Sequence, residues 1–330
     1  MSAIDWQKRG LKAGLVCCFL LQIHAGKAGA DLDANQKPSQ VRGKASVAVI
    51  YPDIAEPYRT VFAQIVSGIE DKAANQVIGY AVGPNENIEE LKNNLHRQEA
   101  RVVIALGRQG MKIASTLDGN IGVVVGGVIT APESELRGVP VNSLSPDPGL
   151  LFSHLKALMP EVRRVFAVFD PRQNGWLIRI AREAAREQGL ELVAYEAQDL
   201  RSAMRSYQEV FAATDSRHDA LWLLQDSTTV EDGSIFPMVL QESWRANLAV
   251  FSSSISHVRR GVLFSLYPDN VEMGHHLANT ALQFLASGDY GEHGMILLRE
   301  VQMAINLRTA DHLGLKPNRK LNYGMVFPEQ

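Results

Sequence analysis

The sequence predicts an α/β protein with two doubly wound, parallel-sheet lobes joined by a hinge. From Ala45 onward, short runs rich in Val, Ile and Ala alternate with amphipathic segments of helical period. The apolar runs are continuous, which is typical of parallel strands that are buried on both faces. The pattern restarts near residue 160, so about ten strands divide into two sheets of about five strands each.

The first lobe is predicted from five strand segments. Helical segments at 56–74, 86–98 and 110–117 separate the first four strands, and a further one at 147–160 leads towards the second lobe. The strand segments are ASVAVIYPD (45–53), QVIGYAVGPN (76–85), ARVVIALGRQ (100–109), IGVVVGGVIT (121–130) and GVPVNSLSP (138–146).

The second lobe repeats the alternation. Its helical segments are 174–189, 200–214 and 233–246. A last strand, VQMAIN, runs directly into a short helix, with Asn306 as the predicted N-cap and Gly314 and Pro317 as stop signals. The other strand segments are VRRVFAVFDP (162–171), ELVAYEAQD (191–199), DALWLLQDS (219–227), LAVFSSSIS (248–256) and GVLFSLYPD (261–269).

The N-terminus predicts export from the cytoplasm. Residues 1–30 have a basic start, an apolar core of about 13 residues and small residues before Asp31, as in a cleaved secretory signal peptide. An uncleaved anchor is the alternative, but the apolar core is shorter than the roughly 20 residues of a spanning helix. Residues 31–44 are polar and aperiodic and are predicted to be a flexible leader.

Composition narrows the possible location and partners. Cys17 and Cys18, the two cysteines, both lie in the signal segment, so the mature chain would be cysteine-free, which suits the bacterial periplasm. Removing residues 1–30 takes away four basic residues and one acidic residue and changes the net charge from −3 to −6. That charge gives no reason to expect a nucleic-acid partner. We predict a soluble monomer.

Enzyme signatures are missing from the sequence. There is no G-x-S-x-G elbow, no H-E-x-x-H and no Walker loop. His275 and His276 are adjacent in a helical segment, so their side chains diverge by about 100° and do not form a metal face. We therefore predict no enzyme, no cofactor and no metal site.

Ligands of doubly wound sheets bind outside the carboxyl ends of the strands, so the loops there form the candidate site. In the first lobe, Tyr51 and Asp53 follow the first strand. Arg108 and Gln109 follow the third, where Arg108 could grip a carboxylate or be a surface ion-pair residue. After the fourth strand, Gly127 would let a ligand approach the backbone, or relieve crowding between strands.

The second lobe offers six candidates in the same positions. Asn174 is predicted to cap a helix whose N-terminus Gly175 leaves open to an anion. Trp176 could stack on a ligand ring or pack in the core. Asp226 could pair with an ammonium group while hydrated in an open cleft, or cap a turn. Ser253 and Tyr267 also stand at strand ends.

These segments resemble a known family. The stretches RRVFAVFDPRQNGWLIRIAREAAREQGLELV, DALWLLQDSTTV, RRGVLFSLYPDNVEMGHHLANTALQFLASG and AINLRTADHLGL are similar to substrate-binding proteins of ABC importers, of the tryptophan/tyrosine-type, uncharacterised-transporter group. The resemblance covers about residues 45–315, is strongest from Val162 onward, and implies the type I periplasmic binding fold. Asn174 and Asp226 match ligand positions of the family. Arg108 replaces the usual Thr, and Ala131-Pro132 replaces an Asp-Pro.

The resemblance also implies lobe boundaries and a role. The helix at 270–288 would return to the first lobe, which gives 45–148 plus 266–298 as the N-terminal lobe and 149–265 plus 299–330 as the C-terminal lobe. The expected function is capture of a small ligand, such as an amino acid or organic acid, between the lobes and its delivery to an inner-membrane ABC permease. The alternative is a periplasmic ligand-sensing module for a membrane signalling receptor.

Overall fold

The structure, a computed structural model, describes residues 46–131, 138–316 and 322–328. These residues form two parallel-dominated sheets with helices packed on them, so the predicted α/β fold with two doubly wound lobes is confirmed. The predicted signal peptide (1–30) and leader (31–44) lie outside the described residues, and so does Pro317.

The strands and helices follow the predicted alternation. The helices are α1 Tyr58–Ala73, α2 Ile88–Arg97, α3 Gly107–Ala114, α4 Pro148–Leu158, α5 Pro171–Glu187, α6 Leu200–Ala213, α7 Ile235–Ala246, α8 Ile255–Arg259, α9 Asn270–Ser287 and α10 Leu307–His312. The strands are β1 Val47–Pro52, β2 Val77–Val82, β3 Val102–Leu106, β4 Gly122–Val128, β5 Pro140–Pro146, β6 Arg164–Phe169, β7 Glu191–Glu196, β8 Asp219–Leu223, β9 Ala249–Ser252, β10 Phe264–Pro268, β11 Gly294–Leu298, β12 Val301–Asn306 and β13 Tyr323–Phe327.

Both sheets have the same winding. The first has the order β11-β5-β4-β3-β1-β2 and the second the order β13-β12-β10-β9-β8-β6-β7. Each therefore contains the 2-1-3-4-5 order of a doubly wound sheet, with its switch point between β1 and β3 or between β6 and β8. Most strand pairs are parallel, but β12 runs antiparallel to β10. Strands β11 and β13, which the sequence did not predict, lie at sheet edges and are partly exposed.

The chain passes between the sheets at three places. It leaves the first sheet after Pro146, returns to it after Pro268, and crosses again between Leu298 and Val301. The predicted lobe boundary at residue 266 falls inside β10, which pairs within the second sheet along its whole length.

The three crossings are hydrogen-bonded to one another. The Asp147 N–H donates to the Leu298 carbonyl over 2.9 Å, and the Asp269 N–H donates to the Glu300 carbonyl over 2.8 Å. The side chain of Gln302 donates to the Asp269 carboxylate over 2.7 Å. Hydrogen bonds thus join all three crossings at the place where the chain passes between the two sheets.

Helix α9 packs tightly on α1, which covers one face of the first sheet. The contact is close because glycines face each other. A Cβ atom on Gly274 would stand 2.2 Å from the Ile65 carbonyl oxygen, and one on Gly68 would stand 2.1 Å from the Val271 carbonyl oxygen. Either distance is far below van der Waals contact, so the two helices can approach this closely only through residues without side chains.

Helix starts are set by short polar side chains. Asp147 and Asp170 each accept from a backbone N–H and stand directly before a proline at the first helical position of α4 and α5. Asn306 caps α10 by accepting from the Thr309 N–H over 3.1 Å, which confirms its predicted role. Gly314 adopts φ +68° just past that helix, as expected of a stop signal.

Candidate functional site

A cavity of about 760 Å³ lies where the carboxyl ends of the strands of both sheets face each other. It stands at both switch points, because its wall includes the loops after β3, β6 and β8. The first lobe contributes Tyr58, Val61, Phe62, Ile65, Arg108, Gly127, Val128, Ile129, Thr130 and Leu144, and the second contributes Gln173, Asn174, Gln225, Asp226, Ser227, Val230, Ser254 and His257.

The first-lobe wall is mainly apolar. Tyr58, Val61, Phe62 and Ile65 stand at helical spacing on α1 and so share one face of that helix. Tyr58 is 63% exposed and Ile129, at the end of β4, is 45% exposed. Large apolar side chains left in solvent at the mouth of a cavity provide surface that an apolar ligand would cover.

Arg108 is the cation of this wall. It follows Gly107, the first residue of α3, at the end of β3. Its guanidinium carries five N–H donors in a planar fork, so it can bind a carboxylate with two parallel bonds while serving other acceptors.

Gly127 lies in the same part of the wall. Its φ of +71° is a conformation that residues with a side chain rarely adopt, and a Cβ there would lie 3.4 Å from the Gly107 nitrogen. The backbone of β4 therefore comes close to the start of α3, beside Arg108, through a residue that only glycine suits.

The second-lobe wall is polar and is organised around Asp226. One carboxylate oxygen of Asp226 accepts from the Asp170 N–H over 2.7 Å and from the Asn174 side-chain amide over 2.9 Å. The other accepts from the N–H groups of Thr228 and Thr229 over 3.0 and 2.9 Å. These four donors, with a longer fifth bond of 3.4 Å from the Gln173 side chain to the second oxygen, saturate the lone pairs of the carboxylate, and Asp226 is only 5% exposed.

Of the two roles predicted for Asp226, the structure therefore shows the turn cap. The expectation of a hydrated carboxylate was wrong. Its bonds tie the loop after β8 to the start of α5 after β6. Gln173 adds to this tie, because its side chain donates to the Thr228 hydroxyl over 2.9 Å and accepts from the Ser227 hydroxyl over 3.2 Å. The result is a rigid polar surface of amides and hydroxyls.

The neighbouring Asp170 carboxylate stays ionised. The Arg172 side chain bonds to it over 2.6 Å, and this bond, with the backbone N–H of Arg172 and the Thr228 hydroxyl, holds the pKa of Asp170 well below its usual range. Because Asp170 caps α5, its charge also suits the positive end of that helix.

His257 is neutral at physiological pH. Burial, which Asp232 opposes and Arg260 assists, lowers the pKa of His257 to about 4. Its Nδ1 lies 2.7 Å from the Ser252 hydroxyl, whose own proton can go to the Leu223 carbonyl at 3.0 Å. That arrangement puts the ring proton on Nδ1 and leaves Nε2 as an acceptor.

The structure brings four of the predicted site residues to this cavity, namely Arg108, Gly127, Asn174 and Asp226. Asn174 does not cap a helix, because α5 begins earlier, at Pro171, with Asp170 as its cap. Gly175 consequently stands inside the helix and does not open its N-terminus.

The other predicted residues lie away from the cavity wall. Tyr51 packs on the first-lobe core, and Asp53 is exposed. The Gln109 side chain bonds to the Gly83 carbonyl. Trp176 packs against the second-lobe core, as its alternative role predicted.

Two more predicted residues have bonds elsewhere. The Ser253 hydroxyl accepts from the Trp222 indole N–H over 2.9 Å and is buried. The Tyr267 hydroxyl donates to Gln302 over 2.8 Å, near the crossings rather than at the cavity.

Sequence reasoning missed the α1 face and His257. The i, i+3, i+4, i+7 spacing of Tyr58, Val61, Phe62 and Ile65 was visible, but it is the same signal that marks a core-facing helix. His257 is a lone histidine in a short helix, and its place beside the cavity depends on the sheet order, which the sequence does not state.

Within the described residues, no helix is long and apolar enough to cross a membrane. The same residues hold no group of three or more His, Cys, Asp or Glu side chains that could bind a metal ion.

Comparison with solved structures gives relatives of the same fold. A ligand-free, open substrate-binding protein with adhesive properties from Clostridium difficile has a TM-score of 0.61 and 14% identity. An ABC domain in complex with L-Trp from Streptococcus pneumoniae and a conserved domain protein from Vibrio cholerae each have a TM-score of 0.51 and 17% identity. Each similarity covers 86% of this chain and 99% of the other.

Comparison with curated proteins gives no match. The family described as ABC transporter substrate binding protein matches residues 67–323. That match begins within α1 and includes strands β2 to β12 and every residue of the second-lobe wall. Since it spans well over half of the sequence, this chain belongs to the ABC transporter substrate-binding protein family and has a solute-binding role.

Proposed function

We propose that the protein binds a small molecule with a carboxylate and an apolar body, of the amino acid or organic acid type, and delivers it to an inner-membrane ABC permease. The observation that carries this proposal is the division of one cavity into an apolar wall with Arg108 and a polar wall of amides, hydroxyls and neutral His257. The ligand of the L-Trp-bound relative has both a carboxylate and an apolar body.

The carboxylate would bind Arg108 in a forked geometry. The apolar body would lie against Tyr58, Phe62 and Ile129, where it would cover exposed side chains. Remaining polar groups of the ligand would meet Asn174 and His257 on the facing wall.

Asp226 has no role as an ammonium partner in this proposal. Among the described residues of the cavity wall it is the one carboxylate, and its oxygens are already occupied by four donors. An α-amino group would then contribute little, so binding should depend on the carboxylate and the apolar body.

The experiment is a thermal-shift panel on residues 31–330, the proposed mature chain. Each amino acid is paired with the acid that carries the same side chain but lacks the amino group. At one hundred times its Kd, a ligand stabilises by about 2.7 kcal/mol, which raises Tm by roughly 4–5 °C for a protein of this size. Acids should match or exceed their amino acids, and a response restricted to amino acids would contradict the ligand class.

Delivery is tested separately. ATP hydrolysis by the reconstituted cognate ABC transporter should rise when ligand-loaded protein is added. Ligand binding without that stimulation would favour the sensory alternative. Residues 1–30 would bring the protein to the periplasm, and N-terminal sequencing of the exported chain should find Asp31 first.

A further inference from the structure

A second cavity, of about 520 Å³, lies in the second lobe at the end remote from the proposed ligand cavity. Its wall includes Leu248 and Val250, at the start of β9, and Asn306, at the end of β12. Because β12 runs antiparallel to β10, its end lies at the amino ends of the parallel strands. The first cavity stands at the carboxyl ends, so the two lie at opposite edges of the same sheet.

The wall of this second cavity is strongly basic. Four arginines line it, and no Asp or Glu is among its described wall residues. Two of the arginines already have carboxylate partners outside the wall, since Arg245 pairs with Glu242 and Arg260 with Asp232. A cavity with this charge should concentrate anions.

The other two arginines, Arg259 and Arg308, lie over aromatic rings. The guanidinium of Arg259 lies 5.5 Å from the centre of the Phe327 ring, and that of Arg308 lies 5.7 Å from the centre of the Trp244 ring. Neither forms an ion pair within the part of the chain that the structure describes. A guanidinium that lies over a ring in a cation–π contact keeps N–H donors available to an anion.

A fixed aromatic pair adds a planar surface. Trp244 is 41% exposed, and its indole stacks on the His312 ring with centres 3.6 Å apart and planes inclined by 8°. His312 is anchored because its Nε2 donates to the Trp244 carbonyl over 3.0 Å. The remaining wall is apolar, from Leu240, Leu248 and Leu313.

We propose that this cavity is a second ligand site, which binds a small molecule with a phosphate or carboxylate group attached to a planar, apolar body. Arg259 and Arg308 would bind the anionic group, and the body would lie against Trp244 and the leucines. The volume falls within the range of about 300–1,000 Å³ that is usual for small-molecule sites, which suits a compact ligand better than an extended chain.

Phenyl phosphate is the probe, with inorganic phosphate and benzoate as arms that separate the contributions of anion and ring. Calorimetric titration of residues 31–330 should give the tightest binding for phenyl phosphate or benzoate, and weaker binding for inorganic phosphate. The double variant R259Q/R308Q should raise the Kd at least about tenfold, because it removes both forked donors.

Two comparisons decide where the probe binds. The matched variant R182Q/R186Q, on the exposed face of α5, should leave the Kd unchanged. Because an anion with a ring would also suit the first cavity, the effect of R259Q/R308Q is measured again in an R108Q background, where the rise in Kd should be as large. An unchanged Kd in R259Q/R308Q, or an equal loss in R182Q/R186Q, would overturn the proposal. So would binding of a hexaglutamate peptide with no binding of phenyl phosphate, which would point to a protein partner.

A second readout does not depend on the arginine variants. Phenyl phosphate should quench tryptophan fluorescence in the wild-type protein, and Trp244→Phe should abolish that quenching while Trp176 and Trp222 remain. Quenching that persists in Trp244→Phe would contradict the assignment.

Discussion

The side-chain amide of Asn174 donates to the carboxylate of Asp226 over 2.9 Å, and this bond joins the loops that follow two neighbouring strands of the second sheet. Both residues were candidates for direct ligand contact. Their bond shows that at least one of them stabilises the second-lobe wall of the cavity.

Replacing Asp226 by Ala should therefore destabilise the unliganded protein. Four donors, including the Thr228 and Thr229 N–H groups, would lose their acceptor in a buried place, at a cost of about 2–4 kcal/mol. Urea unfolding measures the loss. Asp53→Ala is the control, since Asp53 also follows a strand but is exposed, and it should change the free energy of unfolding by less than about 0.5 kcal/mol. Equal stability of the two variants would contradict the capping role.

Arg108→Gln should weaken binding of a carboxylate ligand by about 10–100-fold. Arg108→Lys should recover part of the affinity, because a lysine keeps the charge but not the fork. Calorimetry with the best acid from the panel gives the values. Arg101→Gln is the matched control, since Arg101 precedes the same strand at its opposite end. If R101Q lost as much ligand affinity as R108Q, the effect would come from net charge alone and would contradict a direct contact with Arg108.

Tyr58→Ala should lower ligand affinity by about tenfold without lowering stability. The Tyr58 ring is mostly exposed in the unliganded protein, so its removal opens no internal cavity, whereas the ligand would lose apolar contact area. Leu200→Ala, at another exposed apolar residue, should affect neither quantity. An unchanged Kd for Tyr58→Ala would place the apolar body of the ligand elsewhere.

Gly274→Ala should cost about 2–4 kcal/mol, because a methyl group 2.2 Å from the Ile65 carbonyl forces α1 and α9 apart. Chemical denaturation would show the loss, and ligand affinity should fall as well, since α1 carries the apolar wall. Gly119→Ala is the control, because a Cβ on Gly119 meets no atom within 4 Å. If Gly274→Ala is as stable as that control, the helix pair is not close-packed.

His257 should make stability fall with acidification. The pKa of His257 is about 4 in the folded protein and near 6.5 when unfolded, so between those values the unfolded chain takes up a proton that the folded chain does not. Stability should decline by up to about 3 kcal/mol as the pH falls from 6.5 to 4. Urea unfolding at several pH values should show a flatter profile for His257→Gln. Parallel profiles for variant and wild type would refute the assignment.

The sequence predicted the architecture because continuous apolar strands and capped helices are local signals. Asn306 as a cap and the order of alternating elements could be read directly. The placement of Arg108 at a strand's carboxyl end followed from topology alone. Contact with the cavity could not be read in this way, because it depends on which strands are neighbours and on where each helix starts.

The helix start at Pro171 changes the positions of Asn174 and Gly175 from those that the sequence predicted. Asp170 and Asn174 are both good caps, and Asp170 takes the role, four residues before the predicted cap. That moves Asn174 into the first turns of α5, facing Asp226, and moves Gly175 away from any free N–H group. A second signal, the apolar face of α1, was ambiguous because ligand walls and cores use the same spacing.

The three crossings between the sheets also determine how the gene for such a protein can be divided. A fragment that stops at Pro146 has lost β11, the neighbour of β5, and the helix that covers α1. Neither lobe can therefore be expressed from one uninterrupted stretch of coding sequence. A protease cut at one crossing would still leave two covalent connections, so a singly nicked molecule should migrate as one particle until it is unfolded.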